Sequence, residues 1–471
     1  MNEPDAPPAP LDWGAEEFRR NGYAVVDALV EHWSSLRDLP VWRPSDPAEL
    51  TAALARPFPE SPGSFAEAVR LFLEEAAPHT IRTTHPRFFG YVPIPSNPAA
   101  ALAELLASGV NVFAGTWHSG AACAVIERQV IGWLRSELGW PESAGGLAVS
   151  GGSHANLTAL AVALHCKAGA CRDGAVAYFS DQTHSAVEKA LRALGAPPTA
   201  QRKLEADASG RLRIADLAQA VAADRTAGLR PFCVVANAGT TSTGAVDPLP
   251  AIADFCRRED LWFHADAAYG GAALLCPRGH AALAGLALAD SLALDPHKWL
   301  FQPVDLGCVL VREDRWLVET FRLLPDYLRD AYRVEPELNY CDRGLELTRP
   351  LRVLKLWLTL HTFGVAAVRR AVEWGFELAA EAERRLRWGG VWEILTPPSL
   401  AILTFRHVGL GEDGQLALID RLRETGFALL TSTRVGGRNA LRLCTINPRT
   451  TFEDVRGTIE RLEEIARQAG A

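Results

Sequence analysis

An α/β fold, with a mostly parallel central sheet carrying helices on both faces and a smaller α+β unit at the C-terminus, follows from three observations on the chain. From about Ala99 to Val311 short apolar runs alternate with helical segments, the pattern of βαβ units. Of the 471 residues 48% are apolar and 22% charged, enough to bury a large core in more than one packed unit. Proline, glycine and charge then interrupt the alternation between Leu324 and Thr348, and a new set of helix and strand patterns begins beyond it.

The elements follow in order. Met1 to Pro10 is acidic and proline-rich and reads as a disordered lead-in, not as a basic region ahead of an apolar core. Gly14 to Leu39 is an amphipathic helix, with Phe18, Tyr23, Val26, Leu29 and Trp33 roughly on one face. Proline punctuation runs from Pro40 to Pro62, and a second helix covers Phe65 to Glu75, giving a helical N-terminal segment over 1–82. The loop-like stretch Thr83 to Pro98 opens a large unit over 83–349. Its strands fall at Gly146–Val149, Ala175–Ser180, Pro231–Asn237, Leu261–Asp266, Ser291–Leu294 and Cys308–Arg312, with helices such as Ala155–Cys166 and Ser185–Leu194 between them. The stretch 324–348 is a long exposed loop of the kind that serves as a functional lid. A small unit over 350–471 starts with a long helix near Pro350, has strand candidates Ala401–Arg406, Phe427–Thr431 and Ala440–Cys444, and closes with the helix Phe452–Ala466.

Charge and cysteine usage exclude several classes. A net charge of −8, with no basic run, argues against nucleic-acid or anionic-membrane partners. The apolar stretch Ala99 to Ala114 is broken by Glu104, Ser108 and Asn111, so no membrane span is expected. The nine cysteines are odd in number, form no CxxC pair and sit in apolar contexts, which suits reduced thiols in the cytoplasm. His165-Cys166 near Cys171 lacks further ligands, so no metal is expected.

The chemistry-bearing residues stand at predicted strand ends. Asp295-Pro296-His297-Lys298-Trp299 places a lysine just after the apolar run Ser291-Leu292-Ala293-Leu294. Desolvating an ammonium is costly unless it is paired or neutral, and a desolvated lysine is a good amine nucleophile for a carbonyl. A surface lysine at a strand–helix corner is the plainer alternative, and the surroundings decide against it. Leu261 to Asp266 is a strand whose last carboxylate lies at the C-terminal edge of the sheet, the ligand-binding edge of open α/β folds. Asp266 there fits a metal ligand, a helix N-cap or the partner of a cationic heterocycle. Gly151-Gly152-Ser153 is a turn that opens a helix, where close backbone approach and the helix N-terminus favour an anion such as a phosphate. His184, in Ser180-Asp181-Gln182-Thr183-His184-Ser185, and the polar turn Asn237 to Gly244 occupy two further strand ends. Four such elements with a Schiff-base lysine converge on pyridoxal 5′-phosphate.

The segments DQTHSAVEKA, HADAAYGG and DPHKW resemble the group II pyridoxal-phosphate-dependent decarboxylases, the family of aromatic-L-amino-acid and glutamate decarboxylases. The likeness runs from about Asp12 to the C-terminus. It implies the fold-type I architecture of pyridoxal-phosphate enzymes and a homodimer with the active site at the subunit interface, 1–82 being the dimerisation segment. It further implies that Lys298 holds the cofactor, Asp266 pairs with the pyridine nitrogen, His184 stacks on one ring face and Ala268 packs on the other. Gly152, Ser153, Asp295 and His297 match phosphate-side positions, and Thr240-Thr241-Ser242 the ring-hydroxyl side. In Asn339-Tyr340-Cys341-Asp342-Arg343, Tyr340 resembles the catalytic-loop tyrosine that returns a proton to Cα, so Tyr340→Phe is expected to divert product from amine to aldehyde.

The same likeness places Tyr91, Val92 and Pro93, within Arg87 to Ile94, in the substrate-pocket wall, with Phe113 reaching in from the partner subunit and Gly115 beside it. Aromatic and apolar walls favour an aromatic amino acid, decarboxylated to its amine and CO2. Thr83 and Gly115 stand where the animal aromatic decarboxylases have large aromatics, and His154 where they carry glutamate, which implies a wider pocket. Arg442 resembles a C-terminal arginine near the site. The competing readings are an aldehyde-forming oxidative relative, a decarboxylase of acidic or diamino acids with Arg87 as the extra cation, and a non-catalytic homologue, which the presence of Lys298, Asp266, His184 and Tyr340 disfavours.

Overall fold

The computed structural model describes residues 11–169, 171–323 and 338–468. Seven strands form the central sheet: β1 (Gly145–Val149), β2 (Ala175–Ser180), β3 (Gln201–Leu204), β4 (Arg230–Asn237), β5 (Trp262–Asp266), β6 (Ser291–Leu294) and β7 (Gly307–Val311). Their order is β1-β7-β6-β5-β4-β2-β3. β7 is antiparallel to both β1 and β6, while the pairs from β6 to β3 are parallel. All strands but β7 therefore end at the same edge. The sheet is covered on both faces, and alternate residues feed two cores: Phe263 and Ala265 join one, Trp262 and Ala293 the other. The Ala-rich helix Gly152–Ala168 lies across β4 to β7 on the second face, its small side chains letting it approach the sheet closely.

The small sheet is antiparallel, in the order β10-β11-β9-β8, from β8 (Trp392–Ser399), β9 (Ile402–His407), β10 (Thr431–Val435) and β11 (Arg438–Cys444). Helices Val365–Trp388, Glu412–Glu424 and Phe452–Gln468 close its core. An N-terminal segment joins this unit: Phe89 N–H donates to Leu429 O (2.9 Å), and Cys444 N–H donates to Phe89 O (3.1 Å). Both Phe88 and Phe89 are buried there.

Several expectations change at this level. The strand expected at Phe427–Thr431 begins only at Thr431, because Leu429 is already paired with the Phe88 segment. β8 carries Pro397 and Pro398, which its edge position tolerates since an edge strand needs fewer N–H donors. The long helix near Pro350 is two helices, Leu354–Phe363 and Val365–Trp388, divided at Gly364, whose φ of +76° ends the first. Of the expected lid loop, 324–337 lie outside the described residues, and Tyr340–Asp342 form a buried 3₁₀ turn, not an exposed loop.

Candidate active site

The C-terminal ends of β2, β4, β5 and β6, with the turn after β1, enclose a cavity of about 400 Å³. Gly152, Ser153, His184, Thr241, Asp266, Ala268, Asp295, His297 and Lys298 all line it. Strand register explains the convergence, since Asn237 pairs with Asp266 and Asp266 with Ala293, so three adjacent strands finish level with one another.

Lys298 follows β6 in a tight turn, its N–H donating to Asp295 O (3.0 Å). Its Nζ lies 2.8 Å from Asp295 Oδ2, an ion pair in which Asp295 is 2% exposed. The second carboxylate oxygen, Oδ1, is buried and has no hydrogen-bond partner among the described residues. His297 Nε2 sits 3.6 Å from Asp295 Oδ2, and Leu306 N–H donates to its Nδ1 (3.4 Å). Burial holds the His297 pKa below its ordinary value, outweighing the Asp295 charge, so the ring is neutral with its proton on Nε2. Trp299 is buried and stacks on Tyr269 at 5.4 Å, fixing the turn from beneath.

Asp266 ends β5 with its side chain 8% exposed. Ala268 N–H donates to Oδ1 (3.1 Å) and Asn156 Nδ2 to Oδ2 (3.2 Å), donors that suit an ionised carboxylate. Facing it, the helix Gly152–Ala168 begins with Ala155 N–H bonded to Gly151 O (2.9 Å), which leaves the earlier amides free for an anion. A Cβ at Gly152 would fall 2.8 Å from Asp295 Oδ2 and 3.0 Å from Ala268 Cβ, so only glycine lets the turn close on the lysine strand. His154 adds a buried, unpartnered Nε2 at the same turn.

His184 caps the helix Ser185–Ala193, its Nδ1 accepting the Ala186 N–H (3.2 Å). That bond places the proton of the neutral ring on Nε2. Thr241 holds its turn through its carbonyl, which accepts from Arg442 Nε (2.7 Å).

Other expected residues lie elsewhere. Tyr91, Val92, Pro93, Phe113, Gly115, Arg442 and Tyr340 are not among those lining the cavity. Tyr91 is 60% exposed, and its carbonyl accepts from Arg442, whose remaining NH2 is buried without a partner. Arg442 is thus a strut between the small sheet and two loops. Gly115 packs against its own loop, where a Cβ would meet the Phe113 ring at 2.6 Å and Leu347 O at 2.5 Å. Arg87 is spent on Phe427 O (2.8 Å), Arg37 O (3.0 Å) and Asp454 (3.6 Å), so it supplies no cation to the cavity. Tyr340 departs from the expected exposed loop: it is 3% exposed, packed in the core with the Arg349 guanidinium 5.0 Å from its ring. Burial drives its pKa well up, and Tyr340 is not among the residues lining the lysine cavity of its own chain. Sequence reasoning missed Asn156, Asn237 and Tyr269 in the lining; Asn156, one turn into the glycine-led helix, was legible only as part of that motif.

An amine on a short ion pair, a carboxylate with donors and an amide-lined anion turn, around a cavity that His184 and Ala268 also line, fit a phosphorylated pyridine aldehyde. Comparison with known proteins agrees. The profile described as Pyridoxal-dependent decarboxylase conserved domain matches residues 47–408. An aromatic-L-amino-acid decarboxylase of Bacillus atrophaeus is 42% identical over 470 residues, 97% of each chain. A phenylacetaldehyde synthase of Arabidopsis thaliana is 30% identical, again over 97% of both. The solved structure of Oryza sativa TDC with PLP and tryptamine superposes with a TM-score of 0.92 at 30% identity, covering 98% of this chain and 99% of that one.

Proposed function

The chain belongs to the pyridoxal-dependent decarboxylase family, and from that premise we propose that it converts an aromatic L-amino acid to the amine and CO2. The observation that carries the substrate class is the relative at 42% identity over 97% of both chains, an aromatic-L-amino-acid decarboxylase. The cavity supports it, for among the described residues Lys298 is the only lysine or arginine in its lining, leaving no spare cation for a second carboxylate. When bound, pyridoxal phosphate supplies an electron sink for the pair left on Cα as CO2 departs.

The chain's own residues take the following roles. Lys298 Nζ anchors the cofactor aldehyde, and Asp295 holds that amine in place. The amides of Gly152 and Ser153, with His297 Nε2–H, receive the phosphate. Asp266 faces the pyridine nitrogen, Thr241 lies on the hydroxyl side, and Ala268 and His184 bracket the ring. His184, which lines the cavity with Nδ1 engaged as an acceptor, would offer its Nε2–H as the donor.

A homodimer completes the site in this reading. Helices Ala15–Ser35, Pro47–Leu54 and Phe65–Leu71 bury no residue of their own, and Leu102, Leu105, Leu106 and Val110 are exposed on Pro98–Val110. A second copy covers these faces and brings Phe113 and Tyr91 toward the neighbouring cavity. The nine cysteines, with no CxxC pair among them, suit the reducing cytoplasm. Among the described residues no helix is long and apolar enough to cross a membrane.

An aldehyde-forming reaction is the second reading, favoured by the phenylacetaldehyde synthase relative. Holoenzyme incubated with a panel of aromatic, acidic and diamino acids, assayed for CO2, amine, aldehyde and peroxide, separates the two. Amine with equimolar CO2 from an aromatic substrate is expected; aldehyde and peroxide as main products would overturn the proposal.

A further inference from the structure

Trp262, His264 and Asp266 alternate along β5 and so share the face covered by the helix Gly152–Ala168. A polar stripe on that face is costly unless every group is paired, and here each is. Trp262 Nε1 donates to Ser291 Oγ (2.8 Å), Ser291 Oγ lies 2.8 Å from His264 Nδ1, His264 Nε2 lies 2.7 Å from Asn156 Oδ1, and Asn156 Nδ2 donates to Asp266 Oδ2 (3.2 Å). His264, Ser291, Asn156 and Trp262 are at most 2% exposed.

The proton positions follow from the two ends. An indole N–H can only donate, and an ionised carboxylate can only accept. The Asn156 amide must turn its NH2 to Asp266, because its oxygen there would face another acceptor. His264 Nε2 must then carry the proton given to Asn156 Oδ1, which leaves Nδ1 to accept the Ser291 hydroxyl. Burial holds the His264 pKa down to about 4, against the opposing pull of the Asp266 charge and the Ser291 carbonyl, so the ring stays neutral and its tautomer fixed. Every dipole in the chain points the same way.

We propose that Trp262, Ser291, His264 and Asn156 form a one-way donor relay that holds the Asp266 carboxylate oriented, making Asn156 and His264 positioning residues for the proton on the cofactor's pyridine nitrogen. The inference rests on the reading of Asp266 as the pyridine partner. Removing the last donor withdraws a charge-assisted hydrogen bond from one carboxylate oxygen, and the carboxylate is then free to turn from the ring and to bind water.

The test uses holoenzyme reconstituted with pyridoxal phosphate labelled with ¹⁵N in the ring. Native protein is expected to show a protonated ring nitrogen. Asn156→Leu is expected to lower the nitrogen's pKa by about one unit and kcat about tenfold, with KM near native. Trp262→Phe, which removes only the far donor, shifts both the same way by less and serves should Asn156→Leu fail to fold. With the carbon analogue of the cofactor that lacks the ring nitrogen, native and variant enzymes should have equal, low activity. A native-like ¹⁵N resonance and pKa in a folded variant would overturn the relay. A native enzyme that binds the cofactor through Lys298 but shows an unprotonated nitrogen would instead remove the reading of Asp266.

Discussion

Tyr340 shows how far a residue's neighbours outweigh its motif. Its ring lies in the core and its phenol is surrounded by Arg349, Arg343 and the Glu127 charge, so it is a packing group with a cation over its face. Tyr340→Phe is expected to leave the amine-to-aldehyde ratio at its native value, whereas Tyr340→Ala should cost about 3–5 kcal/mol of stability in urea unfolding. A switch to aldehyde in the phenylalanine variant would return the donor role to Tyr340. Lys298 and Asp266 were legible from sequence because each follows an apolar run, and a parallel sheet brings such ends to one edge. The expectation of an exposed Tyr340 has the opposite origin. A polar, proline-broken stretch looks the same whether it covers a site or folds back under a buried ion pair such as Arg349–Glu127, whose Arg349 Nη2 to Glu127 Oε1 distance is 2.8 Å.

At the scale of elements, the turn into the helix Gly152–Ala168 is the tightest joint of the site. Gly152→Ala places a methyl carbon 2.8 Å from Asp295 Oδ2, so the turn must open and the amides leave their positions. Cofactor affinity is expected to fall at least about tenfold, read by spectral titration of the apoenzyme with pyridoxal phosphate. Gly457→Ala is the control: its Cβ would meet Phe427 Cζ at an ordinary 3.6 Å, and in a helix interior the change should stabilise by about 0.5–1 kcal/mol. Unchanged affinity in Gly152→Ala would show that the anion sits elsewhere. The buried strands β2, β4, β5 and β6 were legible as apolar runs. β3 and β8 were not, because the first is the polar run Gln201–Leu204 at an edge and the second carries two prolines.

For the whole molecule, the buried histidines set the acid limit of the fold. His264 and His85 have pKa values near 4 in the folded protein, pulled down by burial from an ordinary 6.5. Above pH about 6.5 both states are neutral and no penalty arises; below it the unfolded chain takes up protons that the folded chain refuses. Stability should therefore fall as pH drops from about 6.5 toward 4, His264 alone contributing up to about 1.4 kcal/mol per pH unit. The raised pKa values of buried Asp247 and Asp290 act in the opposite direction. Urea titrations across this range, with proton uptake on unfolding, check the sign; stability that stays level or rises as pH falls would show that the two carboxyls offset the rings. What sequence could not convey at this scale was which segments finish one another, since Arg442 and Phe89 make their contacts across more than three hundred residues.

That long-range closure fixes an order of events during synthesis. The backbone of Phe89 is satisfied by Leu429 and Cys444, and the Thr241 turn is held by Arg442. All three of those partners follow the last strand of the central sheet by more than a hundred residues. A nascent polypeptide can thus close its central sheet around Lys298 early, yet the hydroxyl side of the cavity gains its strut only once the small sheet has been made. Firm loading with cofactor therefore waits for the small sheet, whose Arg442 holds the Thr241 turn.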